Sequence, residues 1–165
     1  MAAAFLLNEE QEVLFLKKWK QNAFLASFFV PIGGHLEGDE INAPLKACTR
    51  EIAEETGLQD EAVENLRLRY IVLRHKEVQE IRIQYVFFGT VRKDSHLVES
   101  DEGSLHWVSY REIPNLNVSA TTPEIAKHYR DVGRFTENIY VGSMKSSNGK
   151  PDITWILLED WEFPI

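Results

Sequence analysis

Disulfide-forming cysteine, long apolar runs and basic charge are all scarce in this sequence, and each shortage excludes something. The only cysteine, Cys48, cannot form an internal disulfide, so nothing requires an oxidising compartment. The longest apolar stretch, Ala23 to Ile32, is interrupted by Ser27 and Pro31 and is far shorter than the ~20 residues of a membrane-spanning helix. The N-terminal residues carry no basic group before the acids Glu9 and Glu10, unlike a signal peptide. A soluble cytoplasmic protein with no membrane partner is expected. His75, His96, His106 and His128 show no zinc-ligand spacing. Neither repeats nor a Gly/Ser/Pro-rich linker occur, so residues 1–165 are expected to form one domain. Lys and Arg number 18 against 26 Asp and Glu, a net charge of −8, which argues against binding to polymeric nucleic acid.

The acid that is present is concentrated. Residues 34–58 hold six acids and two bases, and residues 99–102 hold three acids and no base, so these two segments carry −7 of the −8. Clustered carboxylates suit either a solvated face or a cation site.

The local patterns predict a mixed α+β chain. Ala2 to Leu7 and Val13 to Leu16 read as a hairpin. Phe24 to Ile32 reads as a buried strand entering Gly33-Gly34. Pro44 and Gly57 bracket a helix spanning roughly residues 43–56, with Pro at its first turn and Gly at its stop. Leu66 to Leu73 and Ile81 to Val91 read as an antiparallel pair, Leu105 to Val108 as a short strand, and Pro123 to Asp131 as a helix. Ile139 to Gly142 and Ile153 to Leu158 flank Ser-Ser-Asn-Gly, a strong hairpin signal.

At ~100° per residue, Glu51, Glu54 and Glu55 share one face of the first helix, beside an apolar stripe of Leu45, Cys48 and Ile52. Like charges at these spacings repel. Such a face is either solvated, with Arg50 paired to Glu54, or the seat of a hard divalent cation. Cys48 falls on the apolar side and reads as core. Lys17, Lys18 and Lys20 read as a solvated strand end or as phosphate contacts. Trp19, Phe28, Trp155 and Trp161 read as packing residues, with base stacking as the alternative role.

Directly before this helix stands Gly33-Gly34-His35-Leu36-Glu37-Gly38-Asp39-Glu40. Together with Arg50-Glu51-Ile52-Ala53-Glu54-Glu55-Thr56-Gly57-Leu58 it resembles the Nudix box, G-x5-E-x7-R-E-U-x-E-E-x-G-U, where U is a bulky aliphatic residue. Gly34 and Glu40 keep the family spacing, and the second half fits without a mismatch. Nine residues separate Glu40 from Arg50 where the family has seven. The two extra residues are placed within Ile41-Asn42-Ala43. Pro31-Ile32-Gly33-Gly34 departs slightly from members with Pro directly before the glycines.

The resemblance implies a Nudix-type α/β/α sandwich, with a curved mixed β-sheet flanked by helices. It implies hydrolysis of a diphosphate linked to another moiety with Mg²⁺, or Mn²⁺, as cofactor. Glu51, Glu54 and Glu55 would be metal carboxylates, with the carbonyl of Gly34 or Gly33 as a further ligand. Glu102, five residues before Trp107, would supply a metal ligand or the base, with Glu99 as the second choice. The base is left open among Glu51, Glu54 and a later acid. Arg50 would brace the loop through Glu40, Gly33 and Gly57 would be structural, and His35 and Lys18 would contact substrate. The leading substrate is a nucleoside triphosphate, base-modified or not, releasing pyrophosphate. ADP-ribose or another nucleoside diphosphate derivative is the alternative, and a non-catalytic nucleotide-sensing module is the alternative of another class. Many relatives are dimers, so a homodimer is the assembly to consider.

Overall fold

The computed structural model describes residues 1–19 and 28–160. The part of the expected strand from Phe24 to Ser27, together with Lys20 and Trp161, lies outside them. Eight strands and two α-helices are arranged in chain order as β1 (Ala2–Leu7), β2 (Val13–Lys18), β3 (Phe29–Gly34), α1 (Pro44–Thr56), β4 (Val63–Lys76), β5 (Glu80–Val91), β6 (Gly103–Val108), α2 (Thr121–Asp131), β7 (Ile139–Ser147) and β8 (Lys150–Leu158). The strands form one mixed sheet in the order β6-β2-β3-β1-β5-β4-β7-β8. β1 runs parallel to β5 and β4 parallel to β7, while the other neighbours are antiparallel.

Every residue of β1 is buried, as a strand enclosed on both faces and both edges must be. Its side chains divide by parity. Ala2, Ala4 and Leu6 join Leu14, Leu16, Phe87 and Val91 in a core that takes in Ala47, Cys48 and Ile52 of α1. Phe5 and Leu7 join Val13, Phe15, Tyr70, Val72, Val86 and Phe88 beneath Ile125 and Ala126 of α2. The helices therefore cover opposite faces, giving the α/β/α sandwich. No helix among the described residues is long and apolar enough to cross a membrane.

Two local expectations are corrected. β1 and β2 are joined by a tight turn at Asn8–Glu12, but they pair only at Leu7–Val13. β3 inserts between them and pairs with Ala2, Ala3 and Ala4, which leaves β2 only the Leu7 end of that edge. The helix stripe is also shifted: Leu45 is exposed, and Ala47 packs in its place. Small Ala47 against small Ala2 and Ala4 lets α1 lie close to the sheet. The predicted late hairpin forms, with Asn148 (φ 52°) and Gly149 (φ 76°) both left-handed at its tip, as a type I′ turn requires.

Close packing at β1 also fixes the glycine pair. Gly33 has φ 145°, and a Cβ there would fall on the Ala2 carbonyl oxygen. Gly38 has open space around it. Gly33→Ala should cost about 2 kcal/mol or more in urea unfolding through backbone strain and steric overlap. Gly38→Ala should be nearly neutral by the same measurement.

Candidate active site

α1 delivers its carboxylates to different environments because the buried arc of the helix is broad. Ala47, Cys48, Ile52, Glu55 and Thr56 are all buried. Glu55 therefore lies within the packed face, not beside it, and is 3% exposed. Glu51 is partly buried and Glu54 is exposed. Gly57 ends the helix in the left-handed conformation (φ 73°), donating its N–H to the Ala53 carbonyl at 3.0 Å, so the helix stops at Gly57, two residues after Glu55.

The Arg50 guanidinium organises the loop around this helix. It donates to Glu40 through Nε at 2.9 Å and Nη2 at 3.0 Å, to Glu51 at 3.0 Å, to Glu54 at 3.1 Å and to the His35 carbonyl at 3.1 Å. These five bonds match the five donors of the group. Glu40 is 2% exposed and also accepts the Glu37 N–H at 2.9 Å. The two extra residues do not disturb this pairing. Residues 38–40 form a short 3-10 turn, and Ala43 N–H bonds the Glu40 carbonyl at 2.8 Å. Ile41 is pushed outward and is 63% exposed, so the surplus length is taken up at the surface.

Across from Arg50, the Gly33 N–H donates to Glu55 Oε2 at 2.8 Å. A Cβ at Gly34 would collide with the Glu51 carboxylate, so glycine there keeps the loop backbone against that group. Lys18, on the end of β2, reaches both Glu55 (3.5 Å) and Glu102. Glu102 is held in place from behind, since its carbonyl accepts the Trp19 N–H at 2.9 Å. Glu99 instead accepts the Leu105 N–H at 3.2 Å.

The electrostatics follow from these contacts. Burial pushes the Glu55 carboxyl up to about 7; the Gly33 N–H and Lys18 oppose this, and Glu102 and Glu51 add to it. The Arg50 hydrogen bonds, the Glu37 N–H and the Arg50 charge hold Glu40 down at about 2. Burial lowers the Lys18 pKa, but its bond to Glu102 and the charges of Glu55 and Glu102 outweigh this and raise it above the ordinary lysine value. Burial raises the Cys48 thiol to about 12, which leaves it inert.

Glu51, Glu55, Glu102, Gly33, Gly34, His35, Arg50 and Lys18 all line one cleft of about 600 Å³. Glu54 lies outside that lining, on the exposed rim with Arg50. Among the described residues no three Asp, Glu, His or Cys side chains are gathered closely enough to enclose a cation as they stand. Arg50 and Lys18 occupy oxygens of Glu51, Glu54, Glu55 and Glu102. Trp155 packs against Tyr70 and His128 in the α2-side core, away from the cleft. The cleft also includes residues the sequence reading missed: Arg74 on β4, Gln84 on β5, and Ser119 and Thr121 at the start of α2. The one local signal was Gln84, a polar residue on the strand face that also carries Val86 and Phe88.

Comparison with known proteins bears on the family and the fold. The sequence model of the NUDIX domain matches residues 1–131. A MutT protein from Bacillus halodurans superposes with a TM-score of 0.65 at 22% identity, covering 94% of this chain and 95% of that one. A MutT protein from Methanosarcina mazei gives 0.63 at 22% identity, with 79% and 91% covered. An Ap4A hydrolase from C. elegans, solved as a binary complex, gives 0.65 at 14% identity, with 82% and 98% covered. At these identities the three structures establish the shared fold.

The Glu40–Arg50 contact has a defined pH signature. Glu40 has a folded-state pKa of about 2 against an ordinary value of 4.5, so between these values the unfolded chain binds more protons. The contribution is complete above about pH 4.5 and is lost as pH falls through about 2. Urea midpoints measured from pH 5 to pH 3 should fall less steeply for Glu40→Gln than for the unsubstituted protein.

Proposed function

Because this chain belongs to the Nudix family and is a Nudix hydrolase, we propose that it is a divalent-metal-dependent pyrophosphohydrolase of a small nucleotide. The leading substrate is a nucleoside triphosphate, base-modified or not, cleaved to release pyrophosphate. The observation that carries this reading is the convergence of Glu51, Glu55, Glu102 and the Gly33-Gly34 backbone on one cleft.

The donor set fits a hard divalent ion. Carboxylate and carbonyl oxygens are what Mg²⁺ or Mn²⁺ prefers. The Glu55 carboxyl, raised to about 7 mainly by burial and further by Glu102 and Glu51, is a buried acid that a cation would hold in its charged form. Glu51, Glu54, Glu55, Glu102 and the Gly34 carbonyl would hold the ion, taking over oxygens now paired with Arg50 and Lys18. When bound, such an ion neutralises diphosphate oxygens and acidifies a water.

The chain's own groups carry the remaining tasks. Arg50 keeps the glycine loop fixed to α1, so the loop backbone and the carboxylates keep one relative placement. Gly33 N–H holds Glu55 in a single orientation. Glu54 or Glu51 on the helix, or Glu102 across the cleft, accepts the proton of the attacking water. Lys18 and His35 meet the anionic substrate, and the surrounding acid excludes long nucleic acids while admitting a short diphosphate with its counter-ions. A homodimer is the assembly proposed.

Incubation with nucleoside triphosphates and with ADP-ribose, in Mg²⁺ or Mn²⁺ and in chelator, tests the reading through its products. Pyrophosphate plus a nucleoside monophosphate, formed only with metal, is the expected result. AMP plus a sugar phosphate would move the assignment to nucleoside diphosphate derivatives, and no turnover of any nucleotide would favour a sensing module. Glu54→Gln and Glu55→Gln should each lower metal-dependent kcat by about 10²-fold or more without loss of fold by circular dichroism. Unchanged turnover would remove the residue from the machinery.

A further inference from the structure

The cleft has two chemically different ends. One is the acidic end at Glu51, Glu55 and Glu102. At the other, Arg74 and Gln84 also line the cavity, on adjacent antiparallel strands. Val72 is the register partner of Gln84, and Arg74 stands two residues beyond Val72. Arg74 and Gln84 therefore share the sheet face that carries Val72 and Val86, as diagonal neighbours about 7–8 Å apart at their backbones.

Among the described residues neither side chain has a hydrogen-bond or ion-pair partner. Gln84 is only 9% exposed, yet its carboxamide makes no hydrogen bond among the described residues, although its oxygen and nitrogen are not sealed from solvent. Arg74 is half-buried and has neither an ion pair nor a hydrogen bond there. The contrast with their surroundings is clear. Arg82, the register partner of Arg74, is paired to Glu80 at 2.5 Å. Ser119 and Thr121 bond one another at 3.0 Å. A carboxamide this buried usually has its bonds made, and a ligand in the cleft would supply them.

We infer that Arg74 and Gln84 form the specificity-determining end of the cleft and recognise the nucleobase, selecting one that carries a carbonyl oxygen beside a ring N–H over one that carries an amino group there. This rests on the reading of the cleft as a nucleotide site. The chemistry follows from the donor inventory. A guanidinium only donates, whereas a carboxamide both donates and accepts. A carbonyl oxygen satisfies Arg74, and the adjacent ring N–H satisfies the Gln84 oxygen. Guanine, hypoxanthine and uracil present that pair. Adenine and cytosine place an amino donor where the carbonyl would be, leaving Arg74 unpaired in a half-buried site. A phosphate would also satisfy Arg74, but it has no proton at neutral pH to give to the Gln84 oxygen.

Two measurements test this. Calorimetric titration with GMP and AMP needs no cleavage of the ligand. GMP should bind about 10-fold or more tightly than AMP. Arg74→Ala and Gln84→Ala should each remove most of that preference by weakening GMP. Arg74→Lys, which keeps the charge but loses the planar fork, should not restore it. In turnover, both alanine variants should lower the GTP-to-ATP ratio of kcat/KM, mainly through KM. Equal binding of GMP and AMP by the unsubstituted protein overturns the inference. So does a loss in Arg74→Ala that is equal for both ligands, with no effect of Gln84→Ala, which would assign Arg74 to a phosphate. A GMP preference that depends on both residues, in a protein that hydrolyses no nucleotide, would sustain this inference and sink the hydrolytic assignment. Hydrolysis without base preference would do the reverse.

Discussion

One guanidinium connects the elements that make the site. Arg50 bonds the buried Glu40, both Glu51 and Glu54 on its own helix, and the carbonyl of His35 in the glycine loop. Without it, three carboxylates on successive turns of one helix face would repel each other, and the loop would have no fixed position over them. A planar group with five donors can join four partners at once, which a lysine ammonium could not do in this geometry. Glu40, buried and held in its charged form by Arg50 and the Glu37 N–H, anchors the clamp from the far side.

A second constraint is the intimacy of loop and sheet. The Gly33 N–H reaches Glu55, and no side-chain atom fits at Gly33 or Gly34 without meeting Ala2 or Glu51. The same small residues that let α1 approach β1, Ala2, Ala4 and Ala47, thus draw the carboxylate-bearing face of the helix against the end of the sheet. Burial of Glu55 follows from this packing, and its raised pKa is the electrostatic cost of placing an acid in a helix's packed face. Lys18, arriving from β2, offsets part of that cost and ties Glu102 to the same group.

Much of this was legible in the chain. The helix bounded by Pro44 and Gly57, the acid-bearing positions and the preceding glycines lie within a short segment, and their spacing carries the family pattern. Strand existence was also legible wherever apolar residues alternated or a turn such as Asn148-Gly149 stood between runs. Pairing was less so. β1 and β2 look like a hairpin because they are close in sequence, but β1 is buried along both edges and takes β3 and β5 as its main partners. The effect of the two surplus residues after Glu40 was likewise undecidable from spacing. Whether the Arg50 pair survived depended on whether they bulged outward, which is where the exposed Ile41 goes.

The sequence by itself determined the helix, its carboxylates, the glycine loop and the kind of chemistry they serve, because all are set by residues near one another along the chain. The tertiary structure decided which of those acids face the cleft. Glu51 and Glu55 do, together with the distant Glu102, while Glu54 stays on the rim with Arg50. It also brought Arg74 and Gln84 to the same cavity. Neither outcome has a local signature strong enough to read. Burial depends on how closely α1 approaches the sheet, and the cleft's far wall depends on strand register between segments separated by half the fold.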